Sequence, residues 1–136
     1  MLFRSLERGA VHEFSVKYES LTGNAWMLIG IAPNNYRNEK MYFNAKEKWK
    51  GSFFYGLNGY CFKDGTYKNM GPTGQSGDIL TLRANMSTGT MTVFKNGSVI
   101  HQDTLESPYM DIFEYYPCIE LYYSDDQATF IDYKFK

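Results

Sequence analysis

Cysteine, histidine and tryptophan each occur only twice in this 136-residue chain, and proline only four times. Two thiols cannot make the disulfide framework on which small secreted scaffolds rest. Two imidazoles leave few candidates for the base that nucleophilic catalysis needs. An excess of one charge is missing too: 14 Lys and Arg stand against 15 Asp and Glu, a formal net charge of −1. The basic footprint of a dedicated nucleic-acid binder is therefore absent. The one basic cluster, Lys40, Lys46, Lys48 and Lys50, is interrupted by Glu39 and Glu47 and reads as a solvated loop. No apolar run approaches membrane-spanning length, and the opening MLFRSLERG lacks the apolar middle of a secretory signal. Alanine is sparse, so long helices are not expected. These absences predict an intracellular chain with no nucleic-acid or membrane partner. Its two cysteines, Cys61 and Cys118, fall within apparent strands; a bridge between them is possible, but reduced core thiols are the simpler expectation.

Aromatic residues are abundant. Twelve Tyr and ten Phe bring the aromatic share to 18%, within 43% hydrophobic residues overall. Aromatic side chains favour strands. The length fits one domain, residues 1–136, large enough to bury a single core without staples.

The most informative stretch runs from Gly77 to Gly97, GDILTLRANMSTGTMTVFKNG. Leu80, Leu82 and Ala84 alternate with Thr81 and Arg83, the period of a strand with one buried face. Ser87, Thr88 and Gly89 supply a turn. A second apolar run, Met91 to Phe94, stops at Asn96-Gly97, a strong hairpin signal. The same reading gives strands at Val11–Tyr18, Trp26–Ile31, Ser52–Leu57, Tyr60–Lys63, Thr66–Asn69, Ser98–His101, Pro117–Tyr123 and Ala128–Phe135. Trp26 to Ile31 is apolar on both faces, as in a central strand covered on both sides. In the last strand, Ile131, Tyr133 and Phe135 are expected inward, with Asp132 and Lys134 outward. Two long connections, Pro33–Lys50 and Asp103–Tyr115, and a Gly/Pro loop, Met70–Ser76, interrupt the spacing. Many short antiparallel strands with frequent turns predict an all-β sandwich of two sheets.

The motifs have a familiar order. Gly-Asp, apolar strand, Gly-containing turn, apolar-aromatic strand and Asn-Gly together resemble the central signature of SPRY domains. Upstream, Gly9–Phe14 (GAVHEF) and Ala25–Ala32 (AWMLIGIA) are similar to the family's His-containing strand entry and Trp-x-x-Gly strand. Downstream, Tyr116-Pro117 resembles its Tyr-Pro strand opening. The resemblance spans about Gly9 to Phe135. Asn85 stands where the family often has Asp, and Met1 to Arg8 leaves room for only part of an N-terminal strand. The resemblance implies a concanavalin A-like sandwich, and it implies that His12, at the strand entry, is structural.

Chemistry is hard to find in the chain. His12 and His101 lie in no nucleophile motif, and His101, ending a strand, is expected to be solvated. Ser124-Asp125-Asp126 and the scattered Asp103, Glu106 and Asp111 lack the spacing of a calcium loop and read as turns. Gly71-Pro72-Thr73-Gly74 opens no helix, so a phosphate loop is not expected. Asn85-Met86-Ser87 and Asn96-Gly97-Ser98 match the glycosylation pattern but read as turn chemistry. No enzyme, cofactor or metal is expected.

The SPRY resemblance instead implies a protein- or peptide-recognition module of the kind found in adaptors. Tyrosine makes a good anchor because it buries a large ring and keeps a polar tip. The candidate partner-binding residues are Tyr36 and Tyr42 in the first long loop, and Tyr122, Tyr123 and Ser124 where the Tyr-Pro strand runs out. Tyr123 falls where peptide-binding relatives place pocket residues. An alternative from another class is a carbohydrate-binding, lectin-like sandwich using Asn34, Asn35, Tyr36 and Asn38; another is a structural packing subunit of a larger assembly.

Overall fold

Alternation decides which face of each strand turns inward, and it operates in both sheets of the computed structural model. The structure describes residues 6–20, 27–33, 51–64, 66–69, 74–106, 114–121 and 127–135. Within them run β1 (Val11–Ser20), β2 (Met27–Pro33), β3 (Phe53–Gly56), β4 (Tyr60–Lys63), β5 (Thr66–Asn69), β6 (Ile79–Asn85), β7 (Thr90–Lys95), β8 (Ser98–Thr104), β9 (Tyr115–Leu121) and β10 (Gln127–Phe135). One sheet has the order β10-β1-β6-β7-β8 and the other β5-β4-β3-β2-β9. Every pairing is antiparallel. The all-β sandwich expected from the turn spacing is the fold observed.

The core lies between the sheets. Phe14, Val16 and Tyr18 of β1, Leu80, Leu82 and Ala84 of β6, and Met91 and Val93 of β7 pack against Met27, Ile29 and Ile31 of β2 and Phe53 and Tyr55 of β3. On the far side of the second sheet, Leu28, Ala32, Phe54 and Phe62 form another buried cluster. All seven residues of β2 are buried, so this strand is covered on both faces, as its unbroken apolar run predicts. Trp26 lies outside the described residues. Gly30 leaves room where β2 and β3 approach: a Cβ there would run into the Phe53 carbonyl and the Phe54 ring.

The ends of the Gly77–Gly97 motif are fastened to each other. Asp78 is buried; one carboxylate oxygen accepts from the Asn96 side-chain amide at 2.9 Å and the other from the Gln75 backbone N–H at 2.8 Å. The Asn96 side-chain oxygen accepts from the Ile79 N–H at 2.8 Å. Asn96 and Gly97 have φ of 51° and 88°, two positive values in succession, the pattern of a type I′ hairpin turn. At the other hairpin, the Asn85 side-chain oxygen accepts from the N–H groups of Ser87 and Thr88 at 3.0 and 3.2 Å. Both Asn-x-Ser tripeptides therefore sit in turns.

Strand limits differ from expectation in the last third. β8 continues to Thr104, because the alternation of His101, Gln102 and Asp103 still matches the ladder of β7. β9 (Tyr115–Leu121) begins two residues earlier than expected, and Tyr122 and Tyr123 lie outside the described residues. In β10, Asp132 pairs with Ser15 but Phe130 pairs with Val16, which leaves Ile131 as the extra residue of a bulge. Ile131 is accordingly 47% exposed rather than inward, and Ala128 and Phe130 meet the core in its place. Tyr133 returns to the side of Phe14 but stays 40% exposed, because β10 is the edge of its sheet.

Substitution of Gly97 tests the hairpin. No atom stands near a Cβ at this position, so the penalty is purely conformational, about 1–2 kcal/mol for a non-glycine residue held left-handed. Gly97→Ala should lower the melting midpoint accordingly, whereas exposed Ser98→Ala should change stability by less than about 0.5 kcal/mol. Equal effects in thermal denaturation would contradict this turn.

Candidate functional site

A strand period of two gives Cys61 and Lys63 one face of β4, and His101 and Asp103 one face of β8. Cys61 pairs with Tyr55 and Lys63 with Phe53, while His101 pairs with Val93 and Asp103 with Met91. The four partners all belong to the core between the sheets. The two polar pairs therefore point into the sandwich from opposite sheets, near the edge that β8 forms.

They meet there. One ligand-type atom from each of Cys61, His101 and Asp103 lies within 4.8 Å of the others. Lys63 Nζ donates to Asp103 Oδ1 at 2.8 Å, and the Thr104 N–H donates to the same oxygen at 2.8 Å. Asp103 Oδ2 lies 3.5 Å from His101 Nε2. The His101 ring lies parallel to Phe53, within 9° at a centroid separation of 6.4 Å, and is tilted over Tyr55 at 5.5 Å. These two aromatic rings fix the plane of the imidazole. The His101 side chain is only 9% exposed, against the expectation that it is solvated. Its Nε2 and the Tyr55 hydroxyl are buried without a hydrogen-bond partner among the described residues.

The electrostatics show what this cluster is suited to do. Burial pushes the Cys61 thiol up to about 12, with the Asp103 charge adding to the effect and Lys63 opposing it. Burial also acts to raise Asp103, but the hydrogen bonds from Lys63 and the Thr104 amide outweigh it and hold the carboxyl below its ordinary value. The Asp103 hydrogen bond in turn raises Lys63. A cysteine nucleophile needs the thiolate, and this thiol is pushed away from it.

Tyr36, Tyr42, Tyr122, Tyr123 and Ser124 lie outside the described residues, as do Asn34, Asn35 and Asn38, but the strands that carry these loops are described. Pro33 pairs with Tyr115 and Met27 with Leu121. Pro33, which precedes the stretch with Tyr36 and Tyr42 in sequence, thus lies at one end of the second sheet, and Leu121, which precedes Tyr122 to Ser124, lies at the opposite end. His12 is buried and structural, as expected: Nε2 donates to the Glu7 carbonyl at 3.1 Å, so Nδ1 accepts from the Tyr133 hydroxyl. Cys61 and Cys118 are free thiols. They belong to clusters on opposite faces of one sheet, three strands apart, or roughly 14 Å at the usual strand spacing. A bridge between them is out of reach.

No protein-family model matches the chain, and no curated protein matches it. Solved structures do. The SPRY domain of human HERC1 superimposes with a TM-score of 0.72 at 15% identity, covering 95% of this chain and 78% of that one. A human SPRY domain gives 0.68 at 13% identity, covering 94% and 82%, and the TRIM65 PSpry domain 0.67 at 12%, covering 95% and 66%. The fold is that of the SPRY domains, as the motif order implied.

Native-state alkylation tests the environment of Cys61. A rise from 9.0 to about 12 lowers the thiolate population at neutral pH roughly a thousandfold. Iodoacetamide should therefore modify Cys61 in the folded protein at least about tenfold more slowly than in denaturant, as read by peptide mass spectrometry. Equal rates would contradict the buried placement.

Proposed function

We propose that this chain is a non-catalytic recognition module that binds a protein or short peptide through loops carried on a rigid sandwich. The observation that carries the reading is the SPRY fold, whose two sheets are locked by one core and joined by long connections rich in tyrosine. Loops on rigid scaffolds are where recognition concentrates, since the frame holds them without itself having to move. Burial pushes the Cys61 thiol, beside His101 and Asp103, away from the thiolate that a cysteine nucleophile needs.

The opposed loop roots divide the anchors into two groups. Tyr122, Tyr123 and Ser124 follow in sequence after Leu121, the residue of β9 that pairs with Met27 at the start of β2. Tyr123 falls where peptide-binding SPRY domains place pocket residues, which favours this group as the primary contact. Tyr36 and Tyr42 would engage a ligand that extends along the sheet. An adaptor-like role inside the cell accords with this reading.

Panning a random peptide display library against the immobilised domain, followed by affinity measurement on the best clone, tests it. Loss of a central aromatic anchor costs about 2 kcal/mol or more, roughly thirtyfold in affinity. Tyr123→Ala should show a loss of that size and Tyr42→Ala a smaller one, with circular dichroism and melting unchanged and exposed Lys134→Ala as control. Wild-type affinity in both tyrosine variants would remove the anchors from the site. Failure to select any peptide, together with specific signals on a glycan array, would favour the lectin alternative.

A further inference from the structure

We propose that Cys61, His101 and Asp103 form a binding site for a divalent transition-metal ion, zinc above all, that ties β4 of one sheet to β8 of the other. The site goes beyond the recognition role and does not depend on it.

Donor chemistry selects the ion. One sulfur, one imidazole nitrogen and one carboxylate oxygen make a borderline-soft set that suits zinc. Calcium and magnesium call for oxygen ligands throughout and would gain nothing from Cys61. Geometry is close to what zinc requires. Tetrahedral bonds of about 2.0–2.3 Å place ligand atoms roughly 3.3–3.8 Å apart, and here all three lie within 4.8 Å. A contraction of about 1 Å at the widest separation is within the reach of side-chain torsions, with no strand displaced.

A second, independent observation points to a ligand. His101 Nε2 is buried, its ring is held by Phe53 and Tyr55, and it makes no hydrogen bond among the described residues although it faces Asp103 Oδ2 at 3.5 Å. A metal ion between them would satisfy both atoms. The surroundings also fit. Lys63 and the Thr104 amide hold Asp103 Oδ1 and leave Oδ2 turned toward the imidazole, the kind of support that orients a ligating carboxylate. Tyr55 is the cross-strand partner of Cys61, and its hydroxyl is buried without a hydrogen-bond partner among the described residues. Binding replaces the thiol proton with the metal and releases that proton to solvent. Three protein ligands leave a fourth position for water.

Zinc alone, titrated into the full chain after reduction and chelator treatment, is the first probe, with cobalt as a spectroscopic substitute. We expect one equivalent of zinc to bind with Kd below about 1 μM and to raise the melting midpoint, and cobalt to show a thiolate-to-metal charge-transfer band. His101→Phe keeps the aromatic stack and removes Nε2; Cys61→Ala removes the sulfur. Each should weaken zinc binding at least tenfold and abolish the melting shift, and Cys61→Ala should erase the charge-transfer band. Should Cys61→Ala fail to fold, His101→Phe and the wild-type cobalt spectrum decide the matter. Failure to bind stoichiometrically, a cobalt spectrum without the thiolate band, or full affinity in His101→Phe would overturn the proposal and leave the cluster a Lys63–Asp103 ion pair packed beside an aromatic–imidazole stack.

Discussion

The apolar contact between the two sheets is the interaction on which everything else rests. Phe14, Val16, Leu80, Leu82 and Val93 from one sheet, and Ile29, Ile31, Phe53 and Tyr55 from the other, are all fully buried. Each large side chain removed from water contributes about 1.5–3 kcal/mol, and no sheet gains that contribution alone. The contact explains the register as well, because a slip of one residue would turn a whole strand's apolar set to solvent. It also sets where exceptions occur. Polar side chains enter the interior near its β8 edge, where Cys61 and Lys63 of one sheet meet His101 and Asp103 of the other. At the opposite edge of the first sheet, the bulge in β10 turns Ile131 outward.

Much of this frame was legible from periodicity. Leu80, Leu82 and Ala84 announced β6, Asn96-Gly97 announced its hairpin, and the unbroken apolar run of β2 announced a strand covered on both sides. What the sequence could not carry is the pairing between distant strands. The bulge at Ile131 depends on the register of β10 against β1, which alternation alone does not reveal. The polar cluster was missed for the same reason. His-Gln-Asp on one strand and Cys-Phe-Lys on another are unremarkable alone, and become a site only when the sheets face each other. The period-two spacing of both triplets is the available signal, but a strand that stops at His101 sends the imidazole to solvent, whereas β8 runs on to Thr104. The tyrosine anchors, read from loop composition, fall outside the described residues; the strands supply only their roots.

The scaffold separates its roles. The packed sheets and clasped hairpins, such as Asp78 with Asn96 at the mouth of the β6–β7 turn, form the frame of the molecule. A recognition function fits this division, since the core fixes the loop roots without taking part in contact. The metal site, lying between the sheets, would strengthen the frame rather than the recognition surface.

With one core between them, the two sheets stand or fall together. Native-state hydrogen exchange tests it most directly, because it reads the opening free energy of each strand separately. The slowest amides of β1, β6 and β7 and those of β2 and β3 should share one opening free energy, equal to that of global unfolding by denaturant. If one sheet exchanged through an opening well below the global value while the other stayed protected, the sheets would be separate folding units, contrary to a shared core.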